Sequence, residues 1–314
     1  MTPGRIDTHH HIYPPQYIAD ARDQLARTAH VHFPRIAAWT PSQSLDAMDL
    51  DGIATSIVSV SQGVWFGDIA LTRKIVREWN EYAADLARSH PGRFAVFAVL
   101  PLPDVEASLR AIEYALDDLG AIGFCLVTNY GDKWPGDPAF APVFDELNRR
   151  KAVVYFHPTG APAFDGILPG IPTPMIEFPF DSTRAIVSLL FSGTFTRCAD
   201  IRWIFSHGGG TLPMLAARID KIAKNRKDLA ARVPNGVNAE LKKLYYDIAG
   251  VFDPIAFSAV RALAGPSRLL FGTDYPFWSP NMAIKMLDEL DVAGSQREAI
   301  ERGNAMGLIP GLAA

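Results

Sequence analysis

Five side chains able to bind a metal or move a proton stand at the ends of short apolar runs in this chain. Asp7-Thr8-His9-His10-His11 follows the strand-like start Arg5-Ile6 and precedes the breaker Tyr13-Pro14-Pro15. Side chains alternate along an extended strand, so His9 and His11 share a face and His10 points the other way. Two imidazoles on one face form a ready pair of metal ligands. Further on, Val-Val-Tyr-Phe ends at His157, Trp-Ile-Phe-Ser at His207 and Leu-Leu-Phe-Gly-Thr at Asp274. Any one of these alone reads more readily as hydrogen-bonded structure than as a ligand. Five at equivalent run ends point to one shared centre.

Three histidines and an aspartate give a mixed N/O donor set, suited to Zn²⁺ and tolerable for Mn²⁺, Fe²⁺ or Co²⁺. A second ion would need a bridging anion, such as a modified lysine on a middle strand. Neither 122–127 nor Thr128-Asn129-Tyr130 carries a lysine, so one ion is expected. His10 is expected to pack or to support the site. Asp7 shares parity with His9, and reads either as the orienting partner of a ligand imidazole or as a plain strand-start aspartate.

The elements that must position these groups repeat eight times. Strands are expected at 5–11, 53–60, 94–100, 122–127, 153–157, 201–207, 244–248 and 269–274. Most are nearly continuous apolar runs, the signature of parallel strands buried on both faces. Between them lie amphipathic stretches. Val105, Leu109, Ile112, Leu116 and Leu119 form one apolar stripe, and Leu71, Ile75, Trp79, Tyr82 and Leu86 another. Thr40-Pro41, Asp137-Pro138 and Asp253-Pro254 place a capping residue before a proline at the first helical position. Gly120 and Gly265 lie where helices should stop.

Eight such units in 314 residues read as an α/β fold, a single-domain (β/α)8 TIM barrel spanning 1–314. An open doubly wound sheet is the rival, but no Gly-x-Gly-x-x-Gly turn follows any strand. Barrel chemistry gathers at the C-terminal strand ends, where all five candidates fall. Two connections exceed what a barrel needs, at 12–39 and 158–180, and are read as long loops over the mouth. The second holds six prolines and three glycines before Asp181 is expected to open a helix.

Composition narrows the partners. A net charge of −4 and a pI near 6.1 argue against nucleic acid or an anionic membrane surface. The densest basic run, Lys221, Lys224, Arg226 and Lys227, reads as the wet face of a helix. Two cysteines far apart, Cys125 and Cys198, suit a reduced, cytoplasmic setting. The chain shows no basic-then-apolar leader and no apolar run long enough to span a bilayer. The 48% apolar content is ample for a large core.

The ordered motifs resemble the amidohydrolase superfamily: His9-x-His11, His157-Pro158, His207-Gly208-Gly209-Gly210 and Gly272-Thr273-Asp274-Tyr275-Pro276-Phe277. They are most like the branch of aminocarboxymuconate-semialdehyde decarboxylase and the decarboxylases of hydroxybenzoates such as γ-resorcylate and 6-methylsalicylate. Trp39-x-Pro41, Pro101-Leu102-Pro103, Phe178-Pro179-Phe180-Asp181 and Asn304-Ala305 also fit. The resemblance implies that His9, His11, His157 and Asp274 hold the metal and that His207 is the unliganded acid–base residue. It also implies a homodimer in which an arginine matching Arg218 is lent to the neighbouring subunit to grip a substrate carboxylate. A second family arginine has only Arg35 near its place, at a different spacing, and Pro174 stands where the family carries a tryptophan.

Among Trp65, Phe66, Phe178, Phe180, Phe277 and Trp278, Phe178 and Phe277 adjoin the chemical segments and are expected to line a pocket for a planar substrate. The resulting expectation is a metal-dependent, non-oxidative decarboxylase of a small aromatic or muconate-like carboxylic acid, with the proton delivered by His207 or Asp274. The alternative is a mononuclear hydrolase of a lactone, ester, amide or carbon–carbon bond, because the same ligand set activates water. A barrel kept only as a scaffold would have lost ligand positions, and none is missing.

Overall fold

The computed structural model describes residues 4–29, 32–164, 166–290, 292, 294–309 and 311–312. Eight parallel strands run in sequence order around one sheet. They are β1 (Arg5–His11), β2 (Ile53–Ser59), β3 (Phe94–Val99), β4 (Gly123–Val127), β5 (Val153–His157), β6 (Arg202–Phe205), β7 (Tyr245–Asp247) and β8 (Leu269–Leu270). The first and last strands meet: Thr8 N–H donates to Phe271 O, Asp274 N–H to His9 O and His11 N–H to Tyr275 O. A closed barrel leaves no free sheet edge.

At least one helix follows each strand, the principal ones being α1 (Pro41–Leu50), α2 (Ile69–Ser89), α3 (Val105–Asp117), α4 (Ala141–Arg149), α5 (Thr173–Phe191), α6 (Leu212–Lys224), α7 (Pro254–Ala264) and α8 (Pro280–Glu289). Thr40 closes a full capping box with Gln43 at the start of α1, and Asp253 caps α7. Such caps contribute about 1 kcal/mol each. Asp137 caps only a 3₁₀ turn ahead of α4. Alternation along β5 sorts the core into two layers. Tyr155 stacks on Phe97 at 5.6 Å within the barrel, while Phe156 stacks on Phe205 and Trp203 beneath α4 residue Phe144.

Three expectations need correction. The 12–39 segment is helical rather than a loop, with short helices at Pro15–Asp20, Arg22–Ala29 and Phe33–Ala37 that bury Tyr17, Leu25 and Ile36; residues 30 and 31 lie outside the described residues. The 158–180 loop is shorter than expected, because α5 opens at Thr173 instead of Asp181 (residue 165 is not described). Pro174 suits a first turn, and α5 carries Pro179 inside it; the Pro179 carbonyl accepts from Thr183 Oγ1 and Thr211 N. Strands six and eight are shorter than their apolar runs, since the chain leaves the ladder to form the turns that carry His207 and Asp274.

Candidate active site

The site is built where β1 meets β8. A register shift between Asp7 and His10 puts an extra residue in β1, because Asp7 faces Ser56 and His10 faces Val58. His9 and His11 nevertheless converge, with their Nε2 atoms 3.0 Å apart. His11 Nδ1 lies 3.3 Å from Ser59 O and 3.2 Å from its hydroxyl. His9 Nδ1 donates to Asp247 Oδ2 at 3.0 Å. The orienting carboxylate for His9 is therefore Asp247, not Asp7. Asp7 instead meets His10 Nδ1 at 3.2 Å and binds Thr273 through both its N–H (3.0 Å) and its hydroxyl (2.7 Å).

His10 packs away from the centre as expected, stacked on Tyr275 at 4.7 Å and joined through Ser44 Oγ to Trp39 Nε1. That chain explains the Trp39 motif in structural terms. Asp181 has a similar role: it accepts from Thr128, Asn129 and Trp134 and ties α5 to the segment after β4.

Asp274 has φ 58, held by its N–H bond to His9 O and by Phe277 N–H donating to its carbonyl. Its Oδ1 sits 3.2 Å from His9 Nε2 and 3.1 Å from His11 Nε2, and its Oδ2 sits 3.4 Å from His207 Nε2. His207 is also left-handed, at φ 53, in the turn that runs into Gly208-Gly209-Gly210. Each glycine is sterically required. An added Cβ would meet Val260 at 2.6 Å from Gly208, Tyr246 at 2.8 Å from Gly209 and the Pro179 carbonyl oxygen at 2.0 Å from Gly210.

Electrostatics divide the cluster. Burial alone would lower His9, but the carboxylates of Asp247 and Asp274 raise it to about 10. Burial pushes His11 down to about 4, with charge on His9 acting in the same sense. Burial also holds His157 well below the ordinary imidazole range. For Asp274 burial acts upward, but the His9 charge and hydrogen bonds from the histidines hold it well below the carboxylate range. Two neutral imidazoles and an ionised carboxylate thus face one point.

His9, His11, His157 and Asp274 offer donor atoms that all lie within 4.8 Å of one another, and all four residues are buried. Both nitrogens of His157 are buried without a hydrogen-bond partner. Leaving such atoms unpaired is costly unless something else binds them. The orphaned imidazole and the N/O donor set fit a single divalent ion.

Beside the cluster opens a cavity of about 410 Å³ that His157, His207 and Asp274 help line, with Phe178, Phe277, Trp278, Val251 and Val260 among its walls. Of the aromatic residues singled out in the sequence, Phe178, Phe277 and Trp278 line this cavity. Trp65 and Phe66 pack elsewhere on the core, and Phe180 is 40% exposed. Arg218 is exposed on α6 and does not line its own chain's cavity, and Arg35 donates to Pro276 O. Asp247 went unread, although a lone carboxylate in the apolar run 244–249 was the available signal.

A closed parallel barrel with this donor set defines a metal-site barrel enzyme, and the chain belongs to the amidohydrolase family, whose model it matches over residues 6–310. Within that family it lies in the branch shared by aminocarboxymuconate-semialdehyde decarboxylase and the hydroxybenzoate-type decarboxylases. It is 35% identical to the decarboxylase yanB of Aspergillus niger, over 98% of this chain and 87% of that one. It is 32% identical to 6-methylsalicylic acid decarboxylase of Penicillium expansum, over 98% and 97%. A crystal structure of an amidohydrolase II superposes with a TM-score of 0.86 at 28% identity, covering 97% of this chain and 99% of that chain.

Proposed function

We propose that this protein is a metal-dependent, non-oxidative decarboxylase of a small hydroxylated aromatic acid. The observation that carries the reading is the juxtaposition of His207, the buried donor cluster and an aromatic-walled cavity of about 410 Å³. Kinship with decarboxylases supports it.

His9, His11, His157 and Asp274 would hold one divalent ion, and zinc is the ion best suited to their nitrogen-rich set. Such an ion, when bound, supplies Lewis-acid polarisation of substrate oxygens. Phe178 and Phe277 flank the ring and keep water from it. His207, with a fifth of its side chain exposed, holds a proton at Nε2 and gives it to the ring carbon bearing the carboxylate. That new C–H bond leaves the ring dearomatised. The carbon–carbon bond to the carboxylate then breaks, its electron pair restores the ring, CO₂ departs and His207 is reprotonated from solvent. Asp274 reaches His207 Nε2 through Oδ2 and orients it.

The assembly we infer is a homodimer joined near the mouth, where Ile171, Met175 and Met214 stand exposed and where Arg218 can reach a neighbour's cavity. Two buried, unbridged cysteines support a cytoplasmic setting. No helix among the described residues is long and apolar enough to cross a membrane.

The test is to incubate zinc-loaded protein with a panel of hydroxybenzoates and lactones while following CO₂ and acid release together. Release of CO₂ from a hydroxybenzoate is expected. Acid from a lactone with no CO₂ from any carboxylate would replace this reading with hydrolysis.

A further inference from the structure

We propose that Asp247 is a positioning residue that sets two things at once: the ring nitrogen that His9 presents to the ion, and the backbone turn that aims His207. The first half stands on geometry alone, and only the second rests on the decarboxylase reading.

Asp247 ends β7 and is fully buried. Among the described residues it forms no ion pair with a lysine or arginine. Its two oxygens divide the work. Oδ2 accepts from His9 Nδ1 at 3.0 Å and from the Tyr155 hydroxyl at 3.1 Å. Oδ1 accepts from the backbone N–H groups of His207 and Ala249, each at 3.0 Å.

An ionised carboxylate only accepts hydrogen bonds, so His9 Nδ1 must be the protonated nitrogen toward it. The lone pair of Nε2 is then free to face His11 and Asp274, where the ion belongs. The other oxygen stabilises a backbone that a histidine rarely adopts, at φ 53. Three residues on, Gly250 lets the His207 ring lie against the chain, since a Cβ there would sit 3.0 Å from His207 Cδ2. One strand end therefore fixes both the backbone and the ring of His207.

This division predicts that asparagine cannot replace Asp247, although it has the same shape. If the amide oxygen keeps the two N–H groups, the NH₂ faces His9 Nδ1 and drives the ring proton onto Nε2, against the ion. If the amide turns over, NH₂ opposes two N–H donors. Alanine loses both arms.

The experiment compares wild type, Asp247→Asn and Asp247→Ala using cobalt(II) alone as the probe, with affinity and visible spectrum recorded before any substrate is added. Loss of an outer-shell partner of a metal-bound histidine weakens metal binding about 10- to 100-fold. Asp247→Asn is expected to fall in that range with an altered cobalt spectrum. Asp247→Ala is expected also to lower kcat further at saturating cobalt, because His207 is no longer held.

A wild-type measurement stands beside these in case a variant fails to fold. In ¹⁵N-histidine protein loaded with ¹¹³Cd, coupling should reach His9 Nε2, and the His207 amide should exchange slowly. Wild-type cobalt affinity and spectrum in Asp247→Asn, or coupling to His9 Nδ1, would overturn the first arm. Equal kcat in the two variants at saturating cobalt, or a fast His207 amide, would overturn the second. The metal readouts use no substrate, so failure of the decarboxylase reading is seen separately.

Discussion

His207 and Asp274 share a carboxylate edge: His207 Nε2 lies 3.4 Å from Oδ2, while Oδ1 of the same carboxylate is taken by His9 and His11 at 3.2 and 3.1 Å. Asp274 thus serves the donor cluster with one oxygen and the His207 imidazole with the other. His207 approaches the cluster without being part of its set of mutually close donors.

Replacing His207 with alanine is therefore expected to leave the metal in place and remove turnover. General acid–base groups contribute about 10² to 10⁴ in rate, and kcat should fall within or beyond that span. Metal content and kcat must be read on one preparation. Loss of the ion together with activity would make His207 a ligand.

The donor set itself predicts about one divalent ion per chain. His157→Ala and Asp274→Ala should each empty the site by elemental analysis. A bound ion stabilises the fold by RT ln(1 + [L]/Kd), about 4 kcal/mol at a thousandfold excess over Kd. Chelation should therefore lower the Tm of wild type while leaving that of His157→Ala unmoved. Two tightly held ions per chain would refute the scheme.

Ion binding should release protons near neutral pH. His9 is raised to about 10 in the ion-free protein, so it is charged there and must lose the proton on Nε2 to bind metal. The sign follows from linkage. A pKa raised above 6.5 contributes stability to the ion-free fold that is complete below pH 6.5 and lost as pH climbs through about 10. Ion affinity should correspondingly rise with pH across that window. Calorimetry in buffers of different ionisation enthalpy should find about one proton released per ion at pH 8, and none would contradict the charge assigned to His9.

For the proposed homodimer, scattering should return twice the monomer mass. Arg218→Ala should raise KM with metal content unchanged, by roughly tenfold or more if the arginine makes a charged hydrogen bond across the interface. A fully active monomer would remove Arg218 from the site.

Gly210 tests the packing of the glycine run. At φ 68, with a Cβ that would lie 2.0 Å from the Pro179 carbonyl oxygen, Gly210→Ala must displace α5 from the turn after β6. A loss above about 2 kcal/mol is expected in denaturant melts. A neutral result would mean that the two segments yield easily.

Much of this was written locally in the chain. β1 and β5 begin and end where their sequence runs do, and His9, His11, His157, His207 and Asp274 meet because parallel strands in sequence order deliver their ends to one mouth. What the sequence concealed is non-local or irregular. Asp247 lies 238 residues from the imidazole it orients. The parity that paired Asp7 with His9 fails at a register shift that no alternation rule signals. Prolines at 172, 174 and 179 mark a loop to any reader of composition, but α5 accommodates the last two by using one at its start and sharing the carbonyl of the other.

The closure of β1 on the segment after β8 sets an order of events during synthesis. His11 and Asp274 are 263 residues apart in the chain. At about 5–20 residues per second, on the order of tens of seconds separates their emergence from the ribosome. The nascent chain carries its first two imidazoles, and later His157, long before the Asp274 carboxylate exists to join them. Full-affinity metal capture by this donor set would consequently follow closure and mark a finished barrel, and a chain halted short of residue 274 would present unsheltered histidines to any passing transition metal.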